Sequence, residues 1–95
     1  KTSAKMQMLR AGNACIELWE YSNPFPASKD PNYSPANHGW AHIALQVTDI
    51  FYEYERLTKA GMTFHRPPVT NVGEGRSAAI YGRDPFGNIV ELYEP

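Results

Sequence analysis

Hydrophobic and polar positions alternate over residues 4–11, 13–21 and 40–47, the period of a strand with one covered face. Gly12-Asn13 separates the first two stretches, and this dipeptide favours φ > 0 and tight reversal, so a β-hairpin is predicted there. In the third stretch Ala41, Ile43, Leu45 and Val47 alternate with Trp40, His42, Ala44 and Gln46. Asp49 then stands as a helix cap, Ile50, Tyr54 and Leu57 fall on one stripe, and Gly61 is placed to end a helix reaching about Ala60. A short strand over 62–66, a strand over 77–81, a turn over 84–88 and a last strand over 89–93 complete the pattern, which from residue 40 reads βαβββ. Residues 22–38 carry Pro24, Pro26, Pro31 and Pro35 among Ser, Asn and Asp. Such a stretch cannot hold regular structure, and at this length it is expected to link subdomains or cover a site.

Two segments nearly repeat. Residues 12–20 read Gly-Asn-Ala-Cys-Ile-Glu-Leu-Trp-Glu and residues 87–94 read Gly-Asn-Ile-Val-Glu-Leu-Tyr-Glu, so with one residue of slippage Glu17 falls on Glu91. Two copies fit a duplicated module better than a solenoid. Strand parity then assigns faces. Ile43, Leu45 and Val47 suit cover by the helix and leave His42 and Gln46 on the other side. Val90 and Leu92 oppose Ile89, Glu91 and Tyr93, and Ile16 and Leu18 oppose Cys15, Glu17, Trp19 and Tyr21. A mid-strand carboxylate is unfavourable unless paired or bound to a cation. Glu17, His42 and Glu91, flanked by Trp19, Trp40 and Tyr93, therefore point to a half-apolar cleft with a metal at its floor.

Ninety-five residues allow one domain, and 42% hydrophobic content is that of a globular chain. A formal charge of −1 offers no basic footprint for nucleic acid, and no apolar run approaches a membrane span. Cys15 has no internal partner, so nothing requires an oxidising compartment and a cytoplasmic setting is expected. Cys15 reads as a small cleft-lining residue, His65 as surface structure before two prolines, and Gly73-Glu74-Gly75 as a turn near the pocket.

Trp-Ala-His-Ile-Ala-Leu-Gln-Val-Thr-Asp-Ile at 40–50, with Asp-Pro-Phe-Gly-Asn-Ile-Val-Glu-Leu at 84–92, resembles the second module of the vicinal oxygen chelate superfamily, which includes glyoxalase I, epimerases, extradiol dioxygenases and bleomycin resistance proteins. The resemblance implies an α+β fold in which paired βαβββ modules form a curved mixed sheet around a metal and substrate cleft. Residues 1–23 would be the closing hairpin of an incomplete first module, 24–38 the inter-module linker and 39–95 the second module. It implies one divalent metal per site, Zn, Ni, Co, Fe or Mn, held by Glu17, His42, Glu91 and a first-module residue expected roughly thirty positions upstream of Lys1. Glu91 or Glu17 would act as general base, and Trp19, Trp40, Tyr93, Gln46 and His38 would meet the substrate.

The implied activity is isomerisation or epimerisation of a small oxygenated substrate through a metal-stabilised enediolate, in a homodimer. The alternatives are an extradiol-type dioxygenase, with an added acid–base His or Tyr in the second module, and a metal-free drug-binding protein. Glutathione is not expected as the carrier. His38 stands where glyoxalase I proteins usually carry an Arg, and Tyr21 where an Asn is often found.

Overall fold

The computed structural model describes residues 1–69 and 78–95. The hairpin consists of β1 (Ser3–Ala11) and β2 (Ala14–Asn23), and the remaining elements are β3 (His42–Gln46), α1 (Ile50–Lys59), β4 (Thr63–Phe64), β5 (Ala78–Arg83) and β6 (Ile89–Glu94). The predicted βαβββ order is observed. Position 77 and the 73–75 turn lie outside the described residues.

Gly12 adopts φ 63°, and Ala11 pairs with Ala14, so the hairpin reverses through the two residues that favour reversal. β1 and β2 form a sheet of their own. Its face bearing Met6, Met8, Trp19 and Tyr21 is open, with these side chains 42–52% exposed.

The other four strands form a mixed sheet in the order β3-β6-β5-β4. β3 runs parallel to β6, with His42 opposite Ile89 and Ala44 opposite Glu91; β5 runs antiparallel to β6, with Tyr81 opposite Glu91. Parallel neighbours require a crossover, and α1 supplies it. The Asp49 side chain accepts from the Tyr52 amide at the helix start, and Glu94 accepts from the Ile50 amide at 3.0 Å. Glu94, on the helix side of β6, thus ties the last strand to the first turn and places a negative charge at the positive helix end. At the far end the Met62 amide reaches the Leu57 carbonyl and the Gly61 amide the Thr58 carbonyl, with Gly61 at φ 114°. Those two bonds are a Schellman cap.

Ile50, Ala78, Ile80 and Leu92 are buried between α1 and one face of the sheet, with Val47, Tyr54, Leu57 and Phe64 packed around them. Phe64 lies against the space over Gly82, where an added Cβ would stand 2.6 Å from its ring. The close approach explains a glycine inside a strand.

Two strands are shorter than the alternation predicts. β3 begins at His42 because Gly39 turns the chain at φ 113° and the Ala41 carbonyl accepts from the Tyr33 hydroxyl; Trp40 is 100% exposed. β4 keeps two residues, paired as Thr63 with Arg83 and Phe64 with Gly82, before Pro67-Pro68.

The proline-rich linker is clasped to the sheet. The Arg83 guanidinium donates to the carbonyls of Pro31, Tyr33 and Gly87 at 3.0–3.1 Å and lies over the Tyr33 ring. The Tyr33 hydroxyl donates to the Ala41 carbonyl and accepts from the Ile89 amide. Gly87, at φ 87°, lets the linker this close, since a Cβ there would clash with the Pro31 backbone. Gly87→Ala should therefore lower stability by roughly 1–3 kcal/mol, the range for a non-glycine residue in a strained backbone, measured as a shift of the urea midpoint at unchanged slope.

Candidate functional site

The open face of the four-stranded sheet carries the candidate site residues because the helix occupies the other. Parallel partners place side chains on a common side, so His42 and Ile89 share the open face, and Glu91, two residues on, joins them. His42 Nε2 lies 3.1 Å from Glu91 Oε1, with the two side chains 34% and 17% exposed. From β5, Tyr81 meets this pair on both sides. It is the direct cross-strand partner of Glu91, and its ring stands edge-on to His42 at 5.2 Å between centroids. The Glu91 carboxylate holds the Tyr81 phenol above the ordinary tyrosine range, first through its charge and then with help from burial and a hydrogen bond to the same carboxylate.

A groove of about 630 Å³ runs along this face. His42, Tyr81 and Ile89 form its floor, Pro35 from the linker one wall, and His65 and Arg83 its far end. Ile89 is nearly buried although it lies on the open face, because the clasped linker covers it. His65 is exposed before the two prolines, as the sequence suggests, and it also lines the groove. It lies two residues beyond Thr63 on the open side of β4, a placement visible only once β4 is known to pair with β5.

The other sequence-predicted site residues divide. Tyr93 and Gln46 share the open face with Glu91 and His42 and stand opposite each other on β6 and β3, next to the pair but outside the groove lining. Trp40 and His38 are exposed in the loop before β3, and Trp40 as an aromatic wall is not what the structure places there. Trp19 stacks on Tyr21 in the separate hairpin, on the face shared with Glu17 and Cys15. Among the described residues no three of His, Cys, Asp and Glu come together as a metal-binding group, so Glu17 does not join His42 and Glu91.

An imidazole nitrogen and a carboxylate oxygen 3.1 Å apart fit two adjacent positions around a divalent ion, since donors each about 2.0–2.2 Å from a metal lie roughly 3 Å from one another. The pair supplies two donors of a set that needs more.

A βαβββ unit with an imidazole–carboxylate pair on its open face defines a class, and the family model agrees. The chain belongs to the Glyoxalase/Bleomycin resistance protein/Dioxygenase superfamily, whose model matches residues 1–92. Among solved structures it is similar to a glyoxalase family protein from Bacillus cereus, at 23% identity and a TM-score of 0.81, with 98% of this chain aligned. The chain spans 62% of that protein's length. A search of curated proteins found no match. Members of the superfamily bind small molecules and often use a metal. Among the described residues no helix is long and apolar enough to cross a membrane.

The coupling of Tyr81 to Glu91 can be tested directly. Glu91→Gln should lower the pKa of Tyr81 toward the ordinary tyrosine range, so that the phenolate forms at lower pH, followed by the ultraviolet phenolate signal with Tyr81→Phe as the blank. An unchanged titration would show that the carboxylate is not its cause.

Proposed function

We propose that this chain forms the second module and part of the first of a metal-dependent enzyme that isomerises or epimerises a small oxygenated substrate. The observation that carries the reading is the His42–Glu91 pair, 3.1 Å apart on the open sheet face, where His42 and Tyr81 line the groove. His42 and Glu91 would hold a divalent ion, Zn, Ni, Co, Fe or Mn, with Glu17 and a further residue completing the set. When bound, such an ion supplies positive charge that stabilises an oxyanion on the substrate and orients adjacent oxygens.

This chain's own residues do the rest. Glu91, held against the groove-lining His42, can take a proton from a substrate carbon and return it, the work of a general base followed by a general acid. Tyr81 is protonated at neutral pH as an ordinary tyrosine is, and from the groove lining its hydroxyl can donate to a substrate oxygen. Ile89 and Pro35 exclude water from part of the groove. A homodimer in the cytoplasm, acting on a free small molecule, is the setting we propose with it.

The second reading is an extradiol-type dioxygenase, favoured by Tyr81 and His65, which are acid–base side chains facing the same groove. Oxygen uptake with a catechol separates it from the first.

Protein purified without chelator should carry close to one divalent ion per site by elemental analysis, and His42→Ala should lower that occupancy sharply. Failure to take up any of the five metals would sink the proposal. Glu91→Gln, metal-saturated, should lose roughly 10²-fold or more in turnover, as expected for loss of a general base. The hemithioacetal of methylglyoxal and glutathione should be a poor substrate, with kcat/KM well below the usual enzyme range of about 10⁴–10⁸ M⁻¹s⁻¹.

A further inference from the structure

The far end of the groove carries a permanent positive charge, the Arg83 guanidinium, beside His65. Among the described residues the groove lining holds no carboxylate, and Glu91 meets it through His42, 3.1 Å away. Arg83 is the register partner of Thr63, so the two share the open face, and Asn32 from the linker completes that end. Three backbone carbonyls and the Tyr33 ring fix the guanidinium, and none of them neutralises it. Among the described residues no acid forms an ion pair with Arg83. Asp84, its sequence neighbour, is turned to its own loop, where its oxygens accept from the Phe86 and Asn88 amides and the Asn88 side chain. Lys29 adds a second positive charge 4.5 Å from the Tyr33 ring.

A pre-oriented, uncompensated cation in a partly enclosed groove attracts anions and pays little to be ordered when one binds. Thr63, His65 and Asn32 beside it carry hydroxyl, imidazole and amide groups able to donate to anionic oxygens. We infer that this end of the groove holds an anionic group of the substrate, a carboxylate or a phosphate ester, while the bond to be changed lies over His42 and Glu91. The inference rests on the proposed function only for which end reacts; anion capture does not depend on it.

Titration of the whole chain with benzoate, phenylphosphonate and neutral benzamide, followed by ¹H–¹⁵N NMR with and without added Zn²⁺, tests the assignment. At least one anion should bind about tenfold or more tightly than benzamide, a difference of about 1.4 kcal/mol, and should move the Thr63, His65 and Arg83 amides in metal-free protein. Which anion binds tighter identifies the group. His65→Gln should weaken that anion roughly three- to tenfold, the loss of one hydrogen bond to a charged group, and leave benzamide unchanged. Asn32→Ala, on the linker, serves where His65→Gln does not fold. Equal affinity for all three compounds, shifts confined to other surfaces, or binding that appears only with Zn²⁺ and centres on His42 and Glu91 would each overturn the inference. Anion binding that survives while no metal is taken up would sink the proposed function and leave this assignment standing.

Discussion

The parallel pairing of β3 with β6 is the constraint from which both the core and the site follow. It aligns His42 with Ile89 and sets Glu91 two residues further along the same face. The same register turns Leu92 inward against Ile80 and Ile50. Because side chains alternate strictly along a strand, a slip of one residue would drive Glu91 into the helix interface and expose Leu92. The burial of Leu92 and Ile80, at 1% and 0% exposure, thereby fixes the position of the polar pair on the opposite face. Hydrophobic packing on one side of the sheet sets the chemistry on the other.

The groove depends on a second device, the clasp between the linker and the sheet. Tyr33 joins the approach to β3 and the start of β6 through one hydroxyl, and Arg83 grips the linker backbone at Pro31 and Tyr33. Net hydrogen-bond contributions of about 1 kcal/mol each are enough to hold a loop that has no regular structure, and the loop in return covers Ile89. An arginine in this position does two things at once. Its hydrogen bonds go to neutral carbonyls, so it can organise the loop while its charge stays available to the groove.

Most of the element order was legible in the sequence because it rests on local signals. Alternation marked the strands, Asp49 and Gly61 marked the helix ends, and Gly12-Asn13 marked the hairpin, each through the backbone conformation it favours. The His42–Glu91 pair was legible through parity and family resemblance. What was hidden is long-range. Tyr33 and Arg83 are separated by fifty positions and no periodicity connects them. His65 looks like a bystander until β4 is known to pair with β5, and Trp40 continues the alternation of β3 although Gly39 and the Tyr33 hydroxyl end the ladder before it. Local patterns specify which way a side chain points; they do not specify what comes to stand opposite.

Glu17 shows the limit of a repeat. Its segment matches that of Glu91 closely enough to fold as the same kind of strand with the same parity, and β2 does so. Glu91 acquires its meaning from β3, which presents His42 beside it, and from β5, which presents Tyr81. Among the described residues β2 pairs with β1 alone, and the residue opposite Glu17 is Met8. A two-stranded ribbon with an apolar face open to water is marginal until something covers it, so whatever packs on Met6, Met8, Trp19 and Tyr21 also decides what Glu17 can reach. The contact between His42 and Glu91 is made within the four-stranded sheet and needs nothing from that surface. A role for Glu17 as a further ligand therefore depends on how the hairpin is packed, and the His42–Glu91 contact does not.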